Sequence, residues 1–411
     1  MTDPRQDAPR ACRARVLVWS SPGDVAAELK RLRVDQAAAD VFQAHAGLRV
    51  IKLSGVDSDS AQIVRRAMLE VGGQAAVCTG ASSGGADCLL AGTPARYRDL
   101  NEKLTGPPLG QAQLAAEIHR ALTAFEHPTR GELRCSERIL EIGRRTLIMG
   151  VINATPDSFS GDGMAGDVKA MVARGEAMAA DGADILDVGG ESTRPGAEPM
   201  PAEVETERVV PVIEGLAARV RIPISIDTYK SRVAEAALDA GAAIVNDITA
   251  LRGDPDMAAV AADRGVPVII MHMLGTPRTM QDNPRYDDLM GEIAAYLWDS
   301  ISIAEQAGVP RDQVVIDPGF GFGKTVQHNL EIVRRLGELK SLGQPVLLGP
   351  SRKSTIGKVL DLPAEERLEG TLALVALAVA NGVDIVRVHD VQAAGRAARM
   401  ADAVVRGWPA D

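Results

Sequence analysis

Aromatic residues make up only 3% of this 411-residue chain, against 46% hydrophobic residues in all. Its core must therefore be assembled from Ala, Val, Leu and Ile, which suits α/β layers better than an all-β sandwich. Cysteine is scarce too. Cys12, Cys78, Cys88 and Cys135 stand far apart with no C-x-x-C pair, which argues against a disulfide framework or a zinc site and for reduced thiols in a cytoplasm. No apolar run of about 18 residues occurs, and MTDPRQDAPRACRAR lacks the apolar stretch of a signal peptide. The expectation is a cytoplasmic protein with no membrane partner. Basic tracts are missing, and the net charge of −10 speaks against nucleic acid as a partner. Small anions stay open as substrates, because a local cluster of Arg and His can overcome the global sign.

What the chain does contain, from Leu147 onward, is a series of short apolar runs with polar or glycine-containing tips. They are LIMGVIN (147–153), ADILDVGG (183–190), PISIDT (223–228), AIVNDIT (243–249), VPVIIMHM (266–273), VVIDPG (314–319), QPVLLGPS (344–351) and VDIVRVHD (383–390). Continuous apolar runs imply strands covered on both faces, as in a parallel sheet. Helix-like segments such as KSRVAEAALDAG and GTLALVALAVANG lie between them and end in glycine, where a helix C-cap would place one. Eight strand–helix units predict an α/β fold, a (β/α)8 TIM barrel over 147–411. A doubly wound open sheet is the main rival, but it would gather its polar residues at one switch point and not at every strand end. Residues 126–146 form a linker and a β-hairpin, GELRCSERILEIGRRT, that closes the barrel base. Residues 1–125 form a separate small α/β domain with strands RVLVWS, LRVIKLSG, QAAVCTG and ADCLLAGT. Its helices include one continuous segment over 27–47.

The stretch DPGFGFGKT (317–325) resembles a phosphate-binding loop, but G-x-x-x-x-G-K-[ST] needs glycine where Pro318 stands. Proline has no N–H for a phosphate, so that reading fails. The strand ends, read in order, give Asn153, Glu191 to Arg194, Asp227, Asn246, His272, Asp317, Ser351 to Ser354, Arg387 and His389. Any one of these alone reads as a cap, a turn or a satisfied structural group. Convergence on one barrel mouth is another matter, because packing asks nothing polar of that face. Asp227, Asn246 and Asp317 suit the donor edge of a flat heterocycle, and Lys353 suits an acceptor on it. Arg387 and His389 share one face of a strand and with Asn153 make an anion pocket, where Asn153 can also help to hold Mg²⁺. SRKS precedes a helix, whose free amides welcome an anion.

Together NATPDSFS, GGESTRPGAE, SIDT, NDI, DPGFGFGK, GPSRKS and RVHD resemble the ordered signatures of the dihydropteroate synthases, over residues 146 to 407. The resemblance implies condensation of 6-hydroxymethyl-7,8-dihydropterin pyrophosphate with p-aminobenzoate, with Mg²⁺ as cofactor, the two small molecules as partners and a homodimer as the assembly. It implies pterin contacts at Asp227, Asn246, Asp317 and Lys353, and a pyrophosphate site at Asn153, Thr193, Arg387 and His389. Catalysis falls to Asp317, Lys353, Arg387 and His389. Contacts with p-aminobenzoate fall to Arg194, Pro195, Phe322 and Ser354, and the metal to Asn153. The first loop reads FSGDGM where the family has Phe-Ser-Asp-Gly-Gly, which shifts its acid to Asp162. Residues 1–125 resemble an extension carried by some bacterial members. Two alternatives stand: a pterin-binding methyltransferase, which has no use for a pyrophosphate pocket, and a non-catalytic pterin-binding paralogue.

Overall fold

The structure is a computed structural model that describes residues 22–45, 47–79, 85–107, 109–127, 131–154, 164–192 and 199–408. The chain divides into two compact units at Leu122/Thr123.

In the first unit, helices α1 (Pro22–Arg31) and α2 (Gln36–His45) precede β1 (Arg49–Val56), α3 (Ser58–Glu70), β2 (Gln74–Thr79), β3 (Ala86–Gly92) and α4 (Pro94–Thr105). Helix α5 (Ala112–Glu126) runs across the boundary between the units. The strands make an antiparallel sheet in the order β1-β3-β2. Leu53, Val64, Met68, Leu90, Leu100 and Leu104 are buried between sheet and helices. The single helix expected over 27–47 is in fact two. Arg33 takes a left-handed conformation with φ 56°, and the Asp35 carboxylate accepts the Ala38 N–H at 2.9 Å as an N-cap. A capping Asp inside an otherwise helical pattern restarts the helix. The strand expected at 15–20 lies outside the described residues.

The second unit opens with the hairpin β4 (Gly131–Cys135) and β5 (Arg138–Ile142), paired antiparallel. Eight parallel strands follow: β6 (Leu147–Asn153), β7 (Ile185–Gly189), β8 (Ile224–Asp227), β9 (Ile244–Asp247), β10 (Val268–Met271), β11 (Val314–Asp317), β12 (Leu347–Leu348) and β13 (Ile385–Val388). They pair in the order β11-β10-β9-β8-β7-β6-β13-β12, and a parallel bridge between Ile316 and Val346 closes the ring. Each strand is followed by helix, from α6 (Met164–Ala180) to α14 (Val391–Arg406). The fold is the expected (β/α)8 barrel. Side chains alternate along the strands. Leu186, Val188, Ile226, Ile270, Ile316 and Val386 face the helices and join one core cluster. Met149, Ile185, Ile244, Ile269, Val315, Leu347 and Ile385 face inward and pack on Leu133, Cys135 and Ile142 of the hairpin. The hairpin is thus the barrel floor. Gln313 fastens it, accepting Arg134 N–H at 2.8 Å and donating to Glu132 carbonyl at 3.0 Å.

Candidate active site

One step along the strands from this floor, the inward side chains turn polar. After Ile185 comes Asp187, after Ile244 Asn246, after Val315 Asp317, and after Ile385 Arg387. Asp227 ends β8 in register with Asn246 on β9. Parity along each strand therefore delivers acid, amide and cation to the C-terminal end of the barrel, where this fold builds its sites.

Arg387 is the hub. Its Nε donates to Asp187 Oδ2 at 2.6 Å and its Nη2 to Asp227 Oδ2 at 2.7 Å. Asn246 Nδ2 donates to Asp187 Oδ2 at 3.2 Å. Burial works against the Arg387 charge, but the two carboxylates outweigh it and hold the guanidinium more firmly protonated than usual. Burial also pushes the Asp227 carboxyl up to about 7, against the pull of Arg387. Asp317 is raised by burial as well, with Lys353 pulling it back. Lys353 is lowered by burial to about 8, opposed by Asp317. Its ammonium donates to the Phe320 carbonyl and lies 4.7 Å from the centre of the Phe322 ring. A Cβ on Gly349 would lie 3.8 Å from Lys353 Nζ and 3.6 Å from Arg387 Cβ, so the two side chains pass the same point.

The tripled glycines of DPGFGFGK now have their explanation. Gly319, Gly321 and Gly323 have φ of 69°, 88° and 63°. A Cβ on Gly319 would lie 1.9 Å from the His272 carbonyl oxygen, and one on Gly323 would lie 2.7 Å from Leu274. Only glycine fits a left-handed turn pressed this closely against a neighbouring strand end. Lys324 is no phosphate lysine either. Its buried Nζ lies 2.9 Å from His272 Nδ1 and donates to the Phe322 carbonyl at 2.8 Å, which ties this loop to the end of β10. Burial and the neighbouring Lys324 bring His272 down to about 2. Thr325 caps α11 (Val326–Arg335) through a capping box with His328.

At the end of β13, Ser351 Oγ accepts the His389 backbone N–H at 3.2 Å and meets His389 Nδ1 at 2.9 Å. When the Ser351 hydroxyl donates to Nδ1, that nitrogen is the acceptor and the single proton of the neutral ring sits on Nε2 as a donor. Burial, then Arg387, bring His389 down to about 4, so it is neutral at pH 7. Arg352 makes a two-point bond with Asp390 at 2.9 and 2.6 Å, which is why this arginine of SRKS is a brace for the turn.

A family model described as pterin binding enzyme matches residues 149–389. The dihydropteroate synthase of Clostridium beijerinckii is 48% identical over 275 residues, 67% of this chain and 100% of that protein. This chain belongs to the dihydropteroate synthase family. It is also similar to a solved dihydropteroate synthase of Xanthomonas albilineans with 4-aminobenzoic acid, at 44% identity and a TM-score of 0.64, covering 68% of this chain and 100% of that one. A probable bifunctional folylpolyglutamate synthase/dihydropteroate synthase of Haloferax volcanii is 39% identical over 378 residues, 90% of this chain and 45% of that protein. That span is too long for the barrel alone, so the likeness reaches into the first unit.

Among the residues assigned by resemblance to the dihydropteroate synthases, Asp227, Asn246 and Arg387 share one hydrogen-bonded set with Asp187, and Asp317 and Lys353 are charge neighbours of Arg387. Asn153 ends β6 in register with Gly189, half-buried. His389 lies on the Ser351 side of the mouth. Phe322 packs beside Ile248, Met271, Met273 and Met280. Ser354, the first residue of α12 (Ser354–Leu360), is exposed. Thr193, Arg194, Pro195 and Asp162 lie outside the described residues. Strand tips alone did not reveal Asp187, which sits one layer below the rim with no exposed surface. Its signal was present all the same: a lone acid in ILDVG with the inward parity of Ile185.

Proposed function

We propose that this mouth grips 6-hydroxymethyl-7,8-dihydropterin diphosphate and joins it to p-aminobenzoate, giving 7,8-dihydropteroate and pyrophosphate. The observation that carries this reading is the single hydrogen-bonded set of Arg387, Asp187, Asp227 and Asn246, beside Asp317 and Lys353. Buried carboxylates and a side-chain amide accept from and donate to a flat heterocycle, and Lys353 donates to an ring acceptor. Arg387 and the Nε2–H of His389, with Asn153 and Thr193, receive the diphosphate. As the carbon–oxygen bond to diphosphate breaks, charge grows on the leaving oxygen and is met by these preorganised donors. Conjugation with the ring, and the Asp317 carboxylate, stabilise the pterin methylene cation that remains. The arylamine lone pair then forms the new carbon–nitrogen bond, and one proton leaves the nitrogen. Arg194, Pro195, Phe322 and Ser354 position p-aminobenzoate and exclude water.

Among the described residues no group of three or more His, Cys, Asp or Glu is placed to hold a metal. Asn153, at the end of β6, would be the residue to hold a Mg²⁺ through its side-chain oxygen. Neutralisation of the departing diphosphate is the chemistry it supplies when bound. No helix among the described residues is long and apolar enough to cross a membrane, and a cytoplasmic site of action accords with the thiol usage. Leu377 of α13 (Leu368–Ala380) and Met400 and Val404 of α14 are exposed apolar side chains on adjacent helices. They support a homodimer through this face, which sedimentation of a Val404→Asp variant would convert to monomer.

The deciding experiment supplies purified protein with the pterin diphosphate, p-aminobenzoate and Mg²⁺. Pyrophosphate release matched by dihydropteroate formation is expected. Pterin binding without either product would favour the non-catalytic alternative and overturn this reading.

A further inference from the structure

We infer that Asp187 is a positioning residue of this site: it fixes the amide of Asn246 and the guanidinium of Arg387, and so sets the sense in which the mouth reads donors and acceptors on a pterin edge. The inference rests on the pterin-binding reading above. Asp187 has no exposed surface, so it can reach a ligand only through other groups. It accepts from Arg387 Nε at 2.6 Å and from Asn246 Nδ2 at 3.2 Å with one oxygen, and its second oxygen lies 3.4 Å from the same Nδ2.

An asparagine amide is nearly symmetric in shape and can present either end to a ligand. Beside an acceptor-only carboxylate that freedom ends. A flipped amide would set Asn246 Oδ1 against the Asp187 oxygens, acceptor upon acceptor. One Nδ2 hydrogen is thus committed to Asp187. The second N–H and Oδ1 remain as a donor–acceptor pair of fixed order. The same carboxylate holds Arg387 on its Nε side while Asp227 holds Nη2, so two in-plane contacts fix the guanidinium. A buried acid that served stability alone would be better replaced by a hydrophobic side chain. Here it pairs with Ser225, two residues below the level of Asp227, and touches two groups of the site.

The test compares the wild-type chain with Asp187→Asn, using 6-hydroxymethylpterin and its lumazine analogue, in which the 2-amino donor becomes a carbonyl acceptor. Loss of a charge-assisted contact predicts a pterin Kd raised about 10-fold or more, with the KM for p-aminobenzoate within about threefold of wild type. The preference for pterin over lumazine narrows, because Asn246 is free to turn. A merely structural role would weaken both pteridines equally and raise the p-aminobenzoate KM with them, and that result overturns the inference, as would wild-type affinity and preference in the variant. If Asp187→Asn does not fold, a crystal structure of the wild-type chain with bound pterin decides: Asn246 Nδ2 must keep its bond to Asp187, and an amide turned away from it overturns the inference. Absence of dihydropteroate formation by the wild-type chain would instead count against the function proposed above, so the two failures are distinguishable.

Discussion

The two units of this chain treat charge differently. Among the described residues of the first unit the ion pairs lie at the surface, such as Lys103 with Glu70 and Arg120 with Glu117, and the core is apolar apart from groups such as Ser60 and the tethered Tyr97. The barrel buries Asp187, Asn246, Asp247, Asp317, Lys324, Lys340 and Asp384. Exposed pairs contribute little to stability. Buried charges are costly and persist only with partners. Some of the barrel's are structural: Lys340 and Asp384 satisfy each other, and Asp384 also accepts the Val346 N–H at 2.8 Å. What separates the mouth from such pairs is convergence. Carboxylates from β7, β8 and β11 face cations from β13 and the SRKS turn, and burial raises Asp227 and Asp317 out of their ordinary range. That combination marks a site, and the first unit has nothing like it among the described residues.

The comparison breaks most visibly if the mouth can be dismantled without cost. Asp317→Ala and Arg387→Ala should each lower kcat/KM by about 10²–10³, the usual loss when one preorganised group is removed. Arg387→Ala should be the worse of the two, since it leaves Asp187 and Asp227 buried without their counter-charge. Steady-state kinetics on both variants checks this, and near-normal turnover in both would contradict the assignment of the site. Next in size is the floor. Leu133→Ala opens a cavity under the strands and should cost about 2–5 kcal/mol, read as a lowered denaturant midpoint. The pterin Kd of the folded fraction should stay unchanged, because Leu133 packs at the opposite end of the barrel.

A smaller effect concerns pH. With its folded pKa near 7 against an ordinary 3.8, Asp227 holds a proton in the folded protein that the unfolded chain has already lost. Its contribution to stability is therefore fully present below the unfolded pKa and is lost as pH rises towards about 7. Pterin affinity runs the other way, since acceptance of a ring N–H needs the carboxylate. The Kd of 6-hydroxymethylpterin should fall about 10-fold between about pH 6 and pH 8, with proton release on binding. Calorimetry in two buffers of different ionisation enthalpy measures both, and Asp227→Asn should flatten the profile.

Much of this was legible in the sequence because barrel strands announce themselves twice, as continuous apolar runs and by polar tips. All eight runs became strands, and the hairpin at 131–146 became the floor. What strand tips could not reveal was depth. Asp187 lies a layer lower, inside an apolar run, and only the inward parity set by Ile185 exposes it. The network round Lys324 and His272 was equally hidden, because it depends on a contact between β10 and the loop after β11 that no local pattern encodes. Helix periodicity misled at 27–47, where the Asp35 cap and the left-handed Arg33 outweigh the propensity of the flanking residues.

The smallest expected effect sharpens the comparison most. Every group placed at the mouth belongs to the second unit, whose floor is packed by its own hairpin through Leu133, Cys135 and Ile142. The Clostridium beijerinckii relative matches over its whole length within 67% of this chain, so a chain of barrel size is a complete protein there. A domain with its own core can in principle fold alone. The cut has to respect α5, which runs from Ala112 to Glu126 across the boundary, and a chain beginning after Glu126 avoids splitting it. Such a chain should keep kcat and both KM values within about fivefold of the full-length protein. A far larger loss of turnover in a truncated protein that still melts cooperatively would mean that the first unit acts on the mouth. Its exposed ion pairs and apolar core would then need a catalytic explanation that their geometry does not now demand.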